Sequence, residues 1–152
     1  MNLSTALIEA IVTAVGAPIV AVNPVGGGDI SSAARVDLAD GRQAFVKWRS
    51  DGLAGLFTAE RYGLELLRSA KALRVPEVLA QGEATHDGPA FILMTWLGRG
   101  SESPGVAEAL GRGLAALHRV THDAYGLDHD NFIGANPQPN QPAVDWVTFF
   151  RE

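Results

Sequence analysis

Three residue types in this chain, taken together, could hold a phosphate chain. Gly26, Gly27 and Gly28 are consecutive in PVGGGDISSAARVDL, Lys47 stands near the end of QAFVKWR, and Glu60 follows in LFTAERYGLELLRSA. Consecutive glycines let backbone N–H groups approach phosphate oxygens, because no side chain keeps the ligand away. A lysine ammonium is a compact cation for the same oxygens, and a carboxylate beside it would hold it in place. Each feature alone has a plainer reading. Three glycines also make a hairpin turn, a strand-end lysine is usually solvated, and a helical glutamate usually faces water.

The elements around these residues decide between the readings. IVAVNPV and AARVDL, on either side of the glycines, are short, β-branched and alternating, so they read as strands. An Asp-Gly turn in ADGR leads to a third alternating run, QAFVKWR, which carries Lys47. From about Leu53 to Ala70 the pattern becomes helical, with Leu56, Glu60, Leu64 and Leu67 on one face. A carboxylate on an apolar stripe is costly unless paired, so an inward-facing Glu60 requires a cation such as Lys47. VPEVLAQGEA and PAFILMTWL read as two further strands, the second more deeply buried. Met94, Thr95, Trp96 and Leu97 close that strand, where backbone donors and acceptors could meet a nucleobase.

Upstream, Leu3, Leu7, Ile8, Ile11, Val12 and Val15 recur at helical spacing, with Ser4 as N-cap and Gly16 and Pro18 as the stop. GRGSESPG then breaks the chain, so residues 1–97 read as one lobe with its hinge and 98–152 as the start of a second, helical one. In that second part, VAEALGRGLAALHRVTH is a helix with Leu110, Leu114 and Leu117 on one face. The stretch from Asp123 onward reads as an ordered loop, with a further helix beginning at Trp146.

Composition narrows the classes. At 152 residues, 47% hydrophobic and 19% charged, the chain can form one domain or two small lobes. A net charge of -5 argues against a nucleic-acid partner. The absence of cysteine excludes disulfides, thiolate metal sites and a cysteine nucleophile, and fits a cytoplasmic setting. The apolar N-terminus lacks a basic start, contains Glu9 and is shorter than a membrane span, so the sequence reads as soluble. A Rossmann fingerprint needs its glycines to open a helix, and a Walker A loop needs Gly-Lys-Ser/Thr after them; neither condition is met.

The order strand, glycine loop, strand, strand with Lys47, helix with Glu60, two strands, break, helix matches an α+β, protein-kinase-like small lobe. It comprises an N-terminal helix, a five-stranded antiparallel sheet with one helix, a hinge, and the first helical part of a large lobe. In that arrangement Gly26, Gly27, Gly28, Asp29 and Ser31 form a flap over ATP phosphates, although Ser31 fills the third position of G-x-G-x-x-G. Lys47 and Glu60 are then the phosphate-positioning pair.

Beyond that general fold, the chain resembles the fructosamine kinase (ketosamine-3-kinase) family, relatives of the aminoglycoside phosphotransferases. The carriers are GGGDIS, FVK at Phe45 to Lys47, the helix around Glu60, LGRGLAALH, YGLDHDNFIGANPQPN at Tyr125 to Asn140, and WVTFF. The resemblance implies Mg²⁺-assisted transfer of the ATP γ-phosphoryl group to a ketoamine, a fructosamine or ribulosamine, associated with deglycation. It implies substrate-side roles for Asp130, Asn131, Gln138 and Asn140.

One departure stands out. The family's catalytic loop resembles H-G-D-x-x-x-x-N, yet His118, His122 and His129 have no Asp two residues on. The catalytic base and metal ligands are therefore expected to be missing, leaving the front portion of such a kinase, inactive alone. Two other readings stay open: a non-catalytic domain that binds nucleotide or a partner, with a dimer formed through an exposed apolar face, and an α+β domain with a plain glycine turn.

Overall fold

A computed structural model of the chain describes residues 2–27, 30–51, 53–100 and 103–151. The first helix, α1 (Thr5–Val15), is set by local chemistry at both ends. The Ser4 hydroxyl oxygen accepts a 3.3 Å hydrogen bond from the Leu7 amide, satisfying one of the amides that a helix start leaves without a partner. At the other end the Gly16 amide donates to the Val12 carbonyl at 2.8 Å. Leu7, Ile11 and Val15, one helical turn apart, are the buried stripe.

Five strands follow: β1 (Ile19–Pro24), β2 (Ser32–Leu38), β3 (Gln43–Arg49), β4 (Val78–Gly82) and β5 (Ala90–Thr95), with α2 (Leu56–Ser69) between β3 and β4. Every pairing is antiparallel and the order is β1-β2-β3-β5-β4, the five-stranded sheet expected from the sequence. Because β5 lies between β3 and β4, it is covered on both faces and paired on both edges. That position accounts for the nearly continuous apolar run AFILMT, in which Ile92 and Leu93 are fully buried.

Alternation along the strands divides the side chains between two cores. On one face Ala34, Val36, Leu38, Ala44, Val46 and Leu93 pack with the α1 stripe. On the other, Ile92, Met94 and Ala90 pack with Phe57 of α2, flanked by Phe45, Leu56, Leu64 and Val78. Lys47 alternates with Val46 and Trp48, so the pleat sends it to the α2 side. The residue that anchors α2 is Phe57, which the leucine-based stripe did not include, while Leu67 is exposed.

Contacts divide the chain into two compact units, Met1–Leu64 with Pro76–Arg99, and Glu65–Val75 with Gly100–Glu152. The second holds α3 (Val106–Leu117), the short strands β6 (Asn131–Ile133) and β7 (Asn136–Gln138), and α4 (Trp146–Arg151). The stretch read as a loop therefore contains a hairpin. Ile133 pairs with Asn136 across the two-residue connection Gly134–Ala135, and a bridge joins Tyr125 to Ala143. Strands of three residues are too short to show a period of two.

On α3, Leu110 and Leu114 of the leucine face are open, at 51% and 40% exposure. The buried position is Gly113, where a methyl group would overlap the Leu73 side chain and stand 3.1 Å from the Ala72 carbonyl oxygen. Among the described residues no helix is long and apolar enough to cross a membrane.

Candidate functional site

Lys47 is held by backbone pairing on both sides, opposite Ala33 of β2 and Ile92 of β5. Glu60 comes one turn after Phe57, and residues three apart share a helix face, so burial of the Phe57 ring turns Glu60 toward the sheet. The two side chains meet. Lys47 Nζ lies 2.8 Å from Glu60 Oε1 and 2.6 Å from Oε2, and 5.8 Å from the centroid of the Phe57 ring. Both are half-buried, at 29% and 28% exposure, so the pair is less screened than a surface ion pair. An ammonium has three N–H donors; two point at Glu60, and no acceptor among the described residues takes the third.

The glycine turn is at the rim of the same space. The Val25 amide donates to the Ala33 carbonyl at 3.0 Å and closes the β1–β2 connection. Gly27 has φ 105°, in the range that favours glycine over residues with a Cβ. Gly26 is not in that range, and nothing lies within 4 Å of a Cβ placed on it, so packing does not explain why it is glycine. A cavity of ≈ 590 Å³ is lined by Val25, Gly26, Gly27, Ile30, Ser31, Ala33, Phe45, Lys47, Leu56 and Glu60. That volume is in the range of small-molecule pockets. Gly28 and Asp29 lie outside the described residues.

Phe45 is shared with a second cavity of ≈ 230 Å³, lined also by Pro76, Met94, Thr95, Trp96 and Leu97. Met94 is buried in the sheet, and the Thr95 amide donates to the Glu77 carbonyl at 2.8 Å while its hydroxyl accepts from the Glu77 amide at 2.9 Å. Backbone groups of Met94 and Thr95 thus serve the sheet, which leaves Trp96 and Leu97 as the part of the stretch beyond it. The Trp96 ring packs on Phe45 at 6.0 Å and under the Arg35 guanidinium at 5.7 Å. Arg35 is in turn fixed by Asp37, with Nε 3.0 Å from Oδ1 and Nη2 3.2 Å from Oδ2. Asn23 and Gln43 also donate to that carboxylate, each at 2.8 Å. Burial raises the Asp37 carboxyl, but these hydrogen bonds and the Arg35 charge outweigh it and hold the group below its ordinary value.

Within the second unit, Asp130, Asn131, Gln138 and Asn140 are brought together by one another. Asn140 is 6% exposed. Its amide donates to Asp130 Oδ1 at 2.9 Å, and its side-chain Nδ2 to Asn131 Oδ1 at 2.9 Å, with longer contacts to the Gln138 and His129 carbonyls. A buried polar side chain must find such partners, and here they fix the hairpin. Among the described residues no group of three or more His, Cys, Asp or Glu could hold a metal ion.

The sequence model of a family described as Fructosamine kinase matches residues 3–152. A Lactiplantibacillus plantarum protein described as a ketoamine kinase is 35% identical over 131 residues, 86% of this chain and 44% of that protein. The chloroplastic protein-ribulosamine 3-kinase of Arabidopsis thaliana is 34% identical over 133 residues, 86% of this chain and 40% of that protein. A solved structure from Thermobifida fusca, described as a fructosamine-3-kinase, superposes with a TM-score of 0.80 at 32% identity, covering 96% of this chain and 50% of that one. The chain spans less than half the length of the curated relatives it matches.

Proposed function

The chain belongs to the fructosamine kinase family, and we propose that it forms the ATP-binding part of a kinase that phosphorylates a sugar hydroxyl of a ketoamine. The observation that carries this reading is the Lys47 ammonium, held by both oxygens of Glu60 in a cavity bordered by the glycine turn, with one N–H donor uncommitted among the described residues. In this reading that donor binds phosphate oxygens of ATP. Glu60 keeps the ammonium aimed at them, and Gly26 and Gly27 let the turn close down on the phosphates. Trp96 and Leu97 meet the adenine, with Phe45 forming a wall common to base and phosphates.

Mg²⁺, when bound with ATP, would offset the charge that builds on the phosphates during transfer. No His-x-Asp in the sequence resembles the family's catalytic loop. We therefore assign neither the base that takes the hydroxyl proton nor the Mg²⁺ ligands to these residues, and infer that the 152 residues bind nucleotide without turnover. Asp130, Asn131, Gln138 and Asn140 are assigned to shaping a substrate-side hairpin. The acceptor is a fructosamine or ribulosamine on a small amine or a protein, and the setting is the cytoplasm.

The test is the melting temperature of the parent and of Lys47→Ala with and without Mg-ATP. At a hundred times Kd, binding adds about 2.7 kcal/mol to stability, enough to raise the parent's Tm by several degrees. Lys47→Ala should lose most of that rise. An equal rise in both proteins refutes Lys47 as the phosphate ligand, and no rise in the parent refutes the nucleotide reading altogether.

A further inference from the structure

The helix that carries Glu60 has no cap of its own. The Gly55 carbonyl accepts the first intrahelical bond, from the Ala59 amide at 2.9 Å, which makes Gly55 the N-cap residue. Gly55 has φ 77° and no side chain to offer the amides that follow, and the first turn of α2 contains no acidic residue. The missing carboxylate comes from elsewhere in the chain. Glu83, one residue past β4, accepts from the Gly55 amide at 3.2 Å through Oε2 and from the Thr58 hydroxyl at 2.9 Å through Oε1. The Thr58 oxygen in turn accepts from Gln81 Nε2, at 2.5 Å, within β4.

These bonds tie the start of α2 to the end of β4 at a point two residues from Glu60. They add to the apolar attachment of this half of the helix, the Phe57 ring buried against Ala90, Ile92 and Met94 with Leu56 packed beside it. A helix held by one buried side chain can still pivot about it. A second tie at its first turn removes that freedom and fixes the direction in which the next residues point. A negative charge at a helix N-terminus is also the favourable sign for the helix dipole. Glu83 and Thr58 are exposed, so the tie contributes more to orientation than to burial.

We propose that Glu83 is a positioning residue for the Lys47–Glu60 pair, acting through Thr58 and Gly55 on the first turn of α2. The geometric claim concerns this chain's own residues; its consequence for ATP rests on the functional reading above. Glu83 touches neither Lys47 nor Glu60, so a purely structural role would lower stability and leave the coupling between those two unchanged.

The experiment measures that coupling by a double-mutant cycle of Lys47→Met and Glu60→Gln in urea unfolding, in the parent and in the Glu83→Ala background. In the parent the coupling should be about 5-fold in the unfolding equilibrium constant, and in Glu83→Ala it should fall to within about 2-fold of none. If Glu83→Ala does not fold, Glu83→Gln, which keeps an acceptor and loses the charge, replaces it and should show an intermediate value. Coupling of equal size in parent and variant overturns the proposal. Mg-ATP binding by the parent is measured alongside: its absence refutes the functional reading, while the cycle still decides the role of Glu83.

Discussion

Replacing Phe57 tests whether a single buried ring holds the helix that presents Glu60. The ring is 2% exposed and packs on Ala90, Ile92 and Met94, with Phe45, Leu56, Leu64 and Val78 around it. Phe57→Ala removes the transfer free energy of the ring and leaves a cavity that the strands, paired on both sides, cannot collapse into. The expected loss is about 3 to 5 kcal/mol, a large part of the roughly 5 to 15 kcal/mol that stabilises a domain. Phe57→Leu keeps most of the volume, so its packing loss should stay below about 1.5 kcal/mol. Lys47 Nζ stands 5.8 Å from the ring centroid, and losing that cation–π contact adds about 0.5 to 1 kcal/mol to either variant. Urea unfolding followed by circular dichroism, with the slope checked for constancy, gives both numbers. The two variants should differ by about 1.5 kcal/mol or more, and Phe57→Leu should keep the Mg-ATP melting shift that Phe57→Ala loses. A loss below about 1 kcal/mol for Phe57→Ala would show that α2 is held by something other than this ring, and the account of how Glu60 is aimed would fail with it.

Two further outcomes follow from the geometry. Gly111 and Gly113 share α3, and helix propensity alone predicts that alanine at either adds about 1 kcal/mol. Nothing lies within 4 Å of a Cβ at Gly111, whereas at Gly113 it would meet the Leu73 side chain and the Ala72 carbonyl. Gly111→Ala should therefore stabilise, while overpacking of about 1 to 3 kcal/mol should make Gly113→Ala neutral or destabilising; equal gains in chemical denaturation would refute the close contact. The Asp37 carboxyl is held below its ordinary value, so the stability it contributes is fully present above the unfolded-state value near 4 and is lost as the pH falls through the lowered folded-state value. Asp37→Asn should accordingly be less stable than the parent at pH 7, with the gap closing in that acid window; a gap in urea midpoint that does not change with pH would contradict the network.

Much of the first unit is legible in the sequence because its signals are local. Ser4 and Gly16 mark the ends of α1, alternation in SAARVDL and QAFVKWR gives β2 and β3, and the unbroken apolar run of AFILMT marks a strand covered on both faces. The pairing of Lys47 with Glu60 is also legible, since a carboxylate on an apolar helical stripe demands a cation and only a short list precedes it. The hairpin in the second unit is not, because NFI and NPQ are too short for periodicity and their partner-seeking Asn140 looks like any loop asparagine. The buried position of α3 is not legible for a different reason. Spacing shows which residues share a face, but which face is pressed against a neighbour depends on where the neighbour comes close, and here that is at Gly113 and Leu73.

Several parts of the site that escaped the sequence depend on the order and register of strands. Arg35 reaches Trp96 because it stands opposite Phe45, which stands opposite Met94, two residues before Trp96. Asp37 collects Asn23 and Gln43 because β1 and β3 flank it. Glu83 reaches the first turn of α2 only because β4 takes the outer place beside β5. None of these adjacencies follows from spacing along one element, and a shift of one residue in the β2–β3 pairing would turn Arg35 and Lys47 to opposite sides of the sheet. The chemistry of Lys47 can be read from its type and its neighbours in the chain. Its aim cannot, since that is set by Phe57 and Glu83, one buried and one exposed, through the helix that carries Glu60.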